Sequence, residues 1–134
     1  MFERTISRVI AKINKGFPVI LITGMRQIGK SWIVDHLSKG LRKYVTLDDI
    51  RLRSLAKNDP ERFIQENQPP IIIDETQYAL ELFLYIKMYC DKFKKNGLFW
   101  LTGSQKYRLM QGFKESLAGR VAILEMLGFH IKKS

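Results

Sequence analysis

Glycines at Gly24 and Gly29, with a lysine and a serine directly after the second, give the run Gly24-Met25-Arg26-Gln27-Ile28-Gly29-Lys30-Ser31 the spacing G-x-x-x-x-G-K-S. Glycines at these positions let the backbone curl until successive N–H groups converge on one point. A helix beginning there adds partial positive charge and Lys30 adds a full one, so the fitting ligand is a chain of phosphates. The Ser31 hydroxyl is then placed to sit on a Mg2+ held by the same phosphates. Arg26, inside the loop, is either a further phosphate contact or an exposed side chain. The spacing has this meaning only between a strand and a helix. Val19-Ile20-Leu21-Ile22 ahead of it and the apolar positions Ile33, Val34 and Leu37 behind it supply that context.

A second group of chemistry-bearing residues closes another apolar run: Ile71-Ile72-Ile73 leads into Asp74-Glu75. A carboxylate at the end of a buried strand can hold the hydration shell of Mg2+, which makes Asp74 and Ser31 the metal-binding candidates. The adjacent Glu75 can orient and deprotonate an attacking water, the general-base role. Thr102-Gly103-Ser104-Gln105 ends a further apolar run; Thr102, Ser104 or Gln105 could each reach that water, with Ser104 taken as the catalytic candidate, and a hydrogen-bonded turn would use the same residues. Arg120, after Leu117-Ala118-Gly119, is either a transition-state cation, in cis or offered to a neighbouring subunit, or a surface arginine.

The elements that must position these residues follow from periodicity. Phe2, Ile6, Val9, Ile10 and Ile13 recur on one helix face, with Gly16 as a stop. Strands are expected at Val19–Ile22, Tyr44–Leu47, Ile71–Ile73, Leu98–Leu101 and Val121–Leu124. A helix is expected from Lys30 to about Ser38, one beginning at Pro60 with Asp59 as its N-cap, and one whose inner face carries Leu82, Phe83, Ile86, Tyr89, Cys90 and Phe93. Tyr78, Phe83, Tyr85 and Tyr89 fall on or near helical spacing and are expected in the core. Strands alternating with helices imply an α/β fold: a three-layer parallel sheet of about five strands with helices on both faces. Ligands would then sit outside the carboxyl ends of the strands.

At 134 residues the chain has the size of one domain, and a single P-loop core over residues 1–134 is expected, with neither a lid nor a carboxy-terminal domain in it. Its 23 Lys and Arg against 13 Asp and Glu leave a net charge of +10, which fits a polyphosphate or nucleic-acid partner and equally a solvated basic surface. Cys90 is the only cysteine, which rules out an intramolecular disulfide and a cysteine-based metal site, and His36 and His130 have no partners at metal-ligand spacing. No apolar run approaches the ~20 residues of a membrane span, so no membrane association is expected and the cytoplasm is the default location.

The motifs together resemble the AAA-type ATPases of bacteria and archaea that carry a domain of unknown function, DUF4143, after the ATPase core. The likeness rests on Gly24 to Ser31 (G-x-R-Q-x-G-K-S), Tyr44 to Asp49, Pro70 to Tyr78 (P-x-x-I-D-E-x-Q), Leu101 to Gln105 and Ser116-Leu117-Ala118-Gly119-Arg120. It implies a five-stranded parallel sheet in which a sensor strand separates the P-loop strand from the Asp74 strand, with ATP and Mg2+ as ligands. Nucleotide contacts are implied for Gly24 through Ser31 and for Trp32. Trp32 departs from the family's usual small hydroxyl residue, a change expected to weaken an α-phosphate contact. Family members continue into a further domain that looks nuclease-like, so a truncated member is expected. The expected function is ATP binding, with Mg2+-dependent hydrolysis of the β–γ phosphoanhydride as the enzyme reading. The alternatives are a nucleotide-binding module with little turnover and a DNA-associated ATPase subunit. DNA, another protein chain and a second copy are the partner classes that stay open.

Overall fold

The computed structural model describes residues 2–24, 36, 38, 40–103, 106–125 and 130–133, with only the backbone described at 2–4, 106, 107, 114 and 130–133. The amino-terminal apolar stripe forms helix α1 (Phe2–Gly16), and Val19–Thr23 forms strand β1. The helix expected from Lys30 to about Ser38 falls mostly outside the described residues. The chain continues through β2 (Lys43–Thr46), α2 (Ile50–Asn58), α3 (Pro60–Glu66), β3 (Ile71–Asp74), a 3-10 turn (Thr76–Tyr78), α4 (Leu82–Phe93), β4 (Phe99–Thr102), α5 (Lys106–Ser116), β5 (Val121–Glu125) and β6 (His130–Lys133).

The strands lie in the order β2-β3-β4-β1-β5-β6. The first five are parallel, and β4 separates β1 from β3 as the resemblance implies. Side chains alternate across the sheet. Val19, Leu21, Ile71, Ile73, Phe99, Leu101, Val121 and Ile123 join one core beneath α2–α5, while Ile20, Ile22, Ile72, Trp100, Ala122 and Leu124 join a second beneath Ile6, Ile10 and Ile13 of α1. Both faces of the central strands are therefore covered, which is why those strands read as unbroken apolar runs.

Local capping follows the expected chemistry. The Asp59 side chain accepts a hydrogen bond from the Arg62 N–H at 3.2 Å, with Pro60 opening α3. Asp49 does the same for α2, accepting from Arg51 N at 2.9 Å, so one of the two acidic residues after β2 serves as a helix cap. Two features differ from the periodicity. Phe93 was expected on the inner face of α4 but is 44% exposed, because it sits in the last turn of the helix, where the chain leaves the core. Strand β6 was not expected: it pairs antiparallel with β5, Ala122 opposite Lys133 and Glu125 opposite His130. His130-Ile131-Lys132-Lys133 has one apolar residue, and an edge strand of this kind forms through backbone hydrogen bonds that leave no hydrophobic pattern.

Candidate active site

The carboxyl ends of β1, β3 and β4 bring the candidate residues together. Ile73 and Leu21 both pair with Leu101, so Asp74, Thr102 and Ile22 stand at one level and Gly24 projects two residues beyond it. One intervening strand places β1 and β3 about 10 Å apart. Gly24 is exposed at φ 91°, a left-handed conformation that only glycine adopts cheaply, so the chain turns sharply out of the sheet where the loop begins. Met25, Arg26, Gln27, Ile28, Gly29, Lys30, Ser31 and Trp32 lie outside the described residues. Directly beneath the turn, Thr23 is buried and its hydroxyl has no hydrogen-bond partner among the described residues.

Asp74 is 3% exposed, and both its carboxylate oxygens accept hydroxyl protons. Tyr44 Oη donates to Oδ2 at 2.8 Å, and Thr102 Oγ1 donates to Oδ1. The Thr102 hydroxyl in turn accepts the Glu75 N–H at 3.3 Å, so a single side chain ties the end of β4 to both acidic residues. A buried carboxylate requires such donors to offset its lost hydration. Tyr44 reaches it because it pairs with Ile72, and strand alternation puts it on the same face as Asp74.

Glu75 is wholly buried and adopts φ 57°, ψ 47°, a left-handed conformation unusual for a residue with a Cβ. Such geometry costs on the order of 1–2 kcal/mol and persists where surrounding contacts hold it. Here Gln77 Nε2 donates to Glu75 Oε1 at 3.1 Å, and Thr76 Oγ1 donates to the Thr102 carbonyl at 2.9 Å. Arg53 braces the neighbouring segment, its Nε donating to the Leu47 carbonyl at 2.8 Å and its guanidinium lying 3.8 Å from the centre of the Tyr78 ring.

Gly103, after Thr102, is required by close approach: a Cβ there would lie 2.3 Å from Leu109 Cδ1 and 2.8 Å from Gln77 Oε1. Gly103→Ala is expected to lower stability by about 1–3 kcal/mol through overpacking, read as a lower urea midpoint at unchanged slope. Tyr44→Phe removes one donor from a buried carboxylate and is expected to destabilise by about 1–3 kcal/mol, with Thr102→Ser, which keeps its hydroxyl, losing less in the same urea titration.

The remaining candidates are placed differently. Ser104 and Gln105 lie outside the described residues. Thr102 is described, and its hydroxyl is engaged by Asp74 and Glu75. Arg120 is at the opposite edge of the sheet: its carbonyl accepts the Val19 N–H at the start of β1, and its guanidinium donates to both Asp91 oxygens at 2.7 and 3.1 Å and to the Ala118 carbonyl at 3.0 Å. The length of β5, about 15 Å, separates it from the carboxyl edge, so the fold does not bring Arg120 to Asp74 and Glu75 in cis. The hydrogen bond from Arg120 holds the Asp91 carboxyl below its ordinary range, and Asp91 raises the guanidinium in return.

The donor set at this edge fits Mg2+. Among the described residues no cluster of three or more His, Cys, Asp or Glu forms a cage. Mg2+ binds through one or two protein oxygens while keeping waters and phosphate oxygens in its shell. Asp74 is a carboxylate acceptor held in place at the end of β3 by two hydroxyls, the residue type that binds such a shell. Tyr44 and Gln77 were not among the sequence candidates. Both fall within segments that carry the family resemblance, Gln77 as the final Q of P-x-x-I-D-E-x-Q and Tyr44 as the first residue of Tyr44 to Asp49, but only the fold shows what each holds.

Comparison with known proteins agrees with this architecture. Two relatives, described only as uncharacterised proteins of Mycobacterium bovis and Mycobacterium tuberculosis, are each 29% identical over 115 residues, covering 86% of this chain and 26% of the relative. The chain thus spans about a quarter of the length of the curated relatives it matches. Among the described residues no helix is long and apolar enough to cross a membrane. The AAA domain family matches residues 16–133, from the end of α1 through β6, and the chain therefore belongs to that family of nucleotide-binding, ATPase-type domains.

Proposed function

We propose that this chain binds ATP with Mg2+ at the carboxyl edge of its sheet and hydrolyses the β–γ phosphoanhydride. The observation that carries this reading is the convergence of a turn at Gly24, opening a G-x-x-x-x-G-K-S sequence, with a buried, doubly hydrogen-bonded Asp74 and its neighbour Glu75. In this reading the loop from Gly24 to Trp32 wraps the phosphates and Lys30 lies against them. Ser31 and Asp74 hold the Mg2+. When bound, that ion offsets charge developing on the phosphate oxygens. Glu75 takes a proton from the attacking water onto its carboxylate, and Ser104 helps to orient that water. Arg120, remote from this edge in its own chain, could act only on a neighbouring copy's nucleotide.

A second reading has support from one feature. Glu75 is fully buried and already hydrogen-bonded by Gln77, so the site as it stands encloses its own base. A nucleotide-binding module with slow turnover would look like this until another chain or segment rearranged the turn. Calorimetric titration with ATP, with Mg2+ and then with EDTA, tests binding, and steady-state phosphate release separates the readings. Saturable, Mg2+-enhanced binding with turnover supports the hydrolase. Binding with negligible turnover supports the module, and absence of binding removes both.

A further inference from the structure

Starting at the amino edge of the sheet and continuing along α1, the fold assembles a row of cations distinct from the candidate nucleotide-site residues. Arg8, Lys12 and Lys15 are exposed and spaced four and three residues apart, so they form one stripe along α1, about 10 Å from first to last. The loop after α4 continues it. Lys94 and Lys95 are exposed, Asn96 Nδ2 donates to the Lys15 carbonyl at 2.8 Å, and the Gly97 N–H donates to the Phe17 carbonyl at 2.9 Å. The sequence contains no Asp or Glu from Thr5 to Pro18 or from Lys92 to Leu98, and none of these five side chains is in an ion pair among the described residues.

The platform beneath the row is cross-linked by polar contacts. Arg42 donates to the Gly97 carbonyl at 2.6 Å, to the Leu98 carbonyl at 3.3 Å and to Asn14 Oδ1 at 3.2 Å, and its guanidinium lies 4.1 Å from the centre of the Trp100 ring. Trp100 Nε1 donates to the same Asn14 oxygen at 2.9 Å, so α1, β4 and the 94–97 loop are locked together. Burial lowers the Arg42 pKa to about 10, which leaves it charged at neutral pH. Lys94 occupies the end of α4 at φ 51°, a position where glycine is the ordinary residue. Carbonyls at the ends of α1 and α4 favour a nearby cation, which accounts for Lys15 or Lys94 but not for an unbroken row.

We propose that this row is a docking surface for the phosphate backbone of nucleic acid. One strand of duplex DNA carries a phosphate per about 3.4 Å of axis, so a 10 Å stripe can follow that backbone over two or three phosphates. A membrane surface fits less well. A basic helix binds lipid by inserting its apolar face, and Ile6, Ile10 and Ile13 of α1 are buried against the sheet. The row starts at the amino edge with Lys94, Lys95 and Lys15 and runs along the outer side of α1, whose apolar side covers the sheet, and the inference stands independently of ATP hydrolysis.

The test is fluorescence anisotropy of a labelled random-sequence DNA duplex of about 20 bp, titrated between about 50 and 200 mM salt. Combined Lys12→Gln, Lys15→Gln, Lys94→Gln and Lys95→Gln substitutions should weaken binding about tenfold or more and reduce the steepness of log K against log salt by about 3–4. Arg51→Gln with Lys57→Gln, on exposed α2 positions, should change neither, and Lys30→Ala should leave duplex binding intact. Should the fourfold variant unfold, Lys94→Gln with Lys95→Gln, confined to a loop, should still reduce the slope by about 2. The proposal is overturned by an unbound wild-type duplex, by a slope that survives the substitutions, or by binding to phosphatidylserine vesicles without binding to the duplex.

Discussion

Glu75→Gln is expected to lower steady-state ATP hydrolysis by about 10²–10⁴-fold, the usual contribution of a positioned general base, with nucleotide still bound at close to wild-type affinity. The substitution keeps the volume of a fully buried side chain and leaves an Oε1 that can still accept from Gln77. What it removes is the negative charge and the basicity. Glutamine also occupies the left-handed conformation at φ 57° no worse than glutamate, so the turn leading from β3 into α4 should stay folded. Phosphate release and calorimetric binding on the same preparation decide the matter. Turnover that is unchanged would mean that the water is activated elsewhere.

Lys30→Ala is expected to weaken ATP binding by about 100-fold, the scale of a lost charge-assisted hydrogen bond to phosphate, with thermal stability within about 0.5 kcal/mol of wild type. The second expectation follows from the first. A lysine whose charge faces a ligand contributes little to a hydrophobic core. Competitive displacement of a fluorescent ATP analogue gives the affinity and a melting curve gives the stability. Undiminished affinity would remove the phosphate-site assignment, whereas a collapsed melting curve would show that Lys30 has a structural task instead. The two substitutions also separate functions: one should empty the site, the other should leave it filled and inactive.

Much of the fold is legible in the amino-acid sequence. Val19–Ile22, Ile71–Ile73 and Leu98–Leu101 read as strands buried on both faces because a central parallel sheet leaves no polar side to alternate with. Asp59-Pro60 announced a helix start because a cap and a proline act within one turn. Strand β6 was illegible because an edge strand depends on the neighbour whose backbone it pairs with. Phe93 misled because periodicity does not say where a helix outruns the core it covers.

The chemistry divides along the same line. Local order along the chain set a G-x-x-x-x-G-K-S run directly after β1 and Asp74-Glu75 at the end of β3, since motif, strand and turn are contiguous and their meaning lies in spacing. Tertiary structure decided the rest. Tyr44 and Thr102 secure Asp74 across 30 and 28 positions of sequence, and Arg120 is carried to the far edge and paired with Asp91. Lys94 and Lys95 are set beside Lys15 by a hydrogen bond spanning 81 positions. Contacts of that range arise only when the strands take their places in the sheet, because strand order, and not distance along the chain, sets which side chains meet.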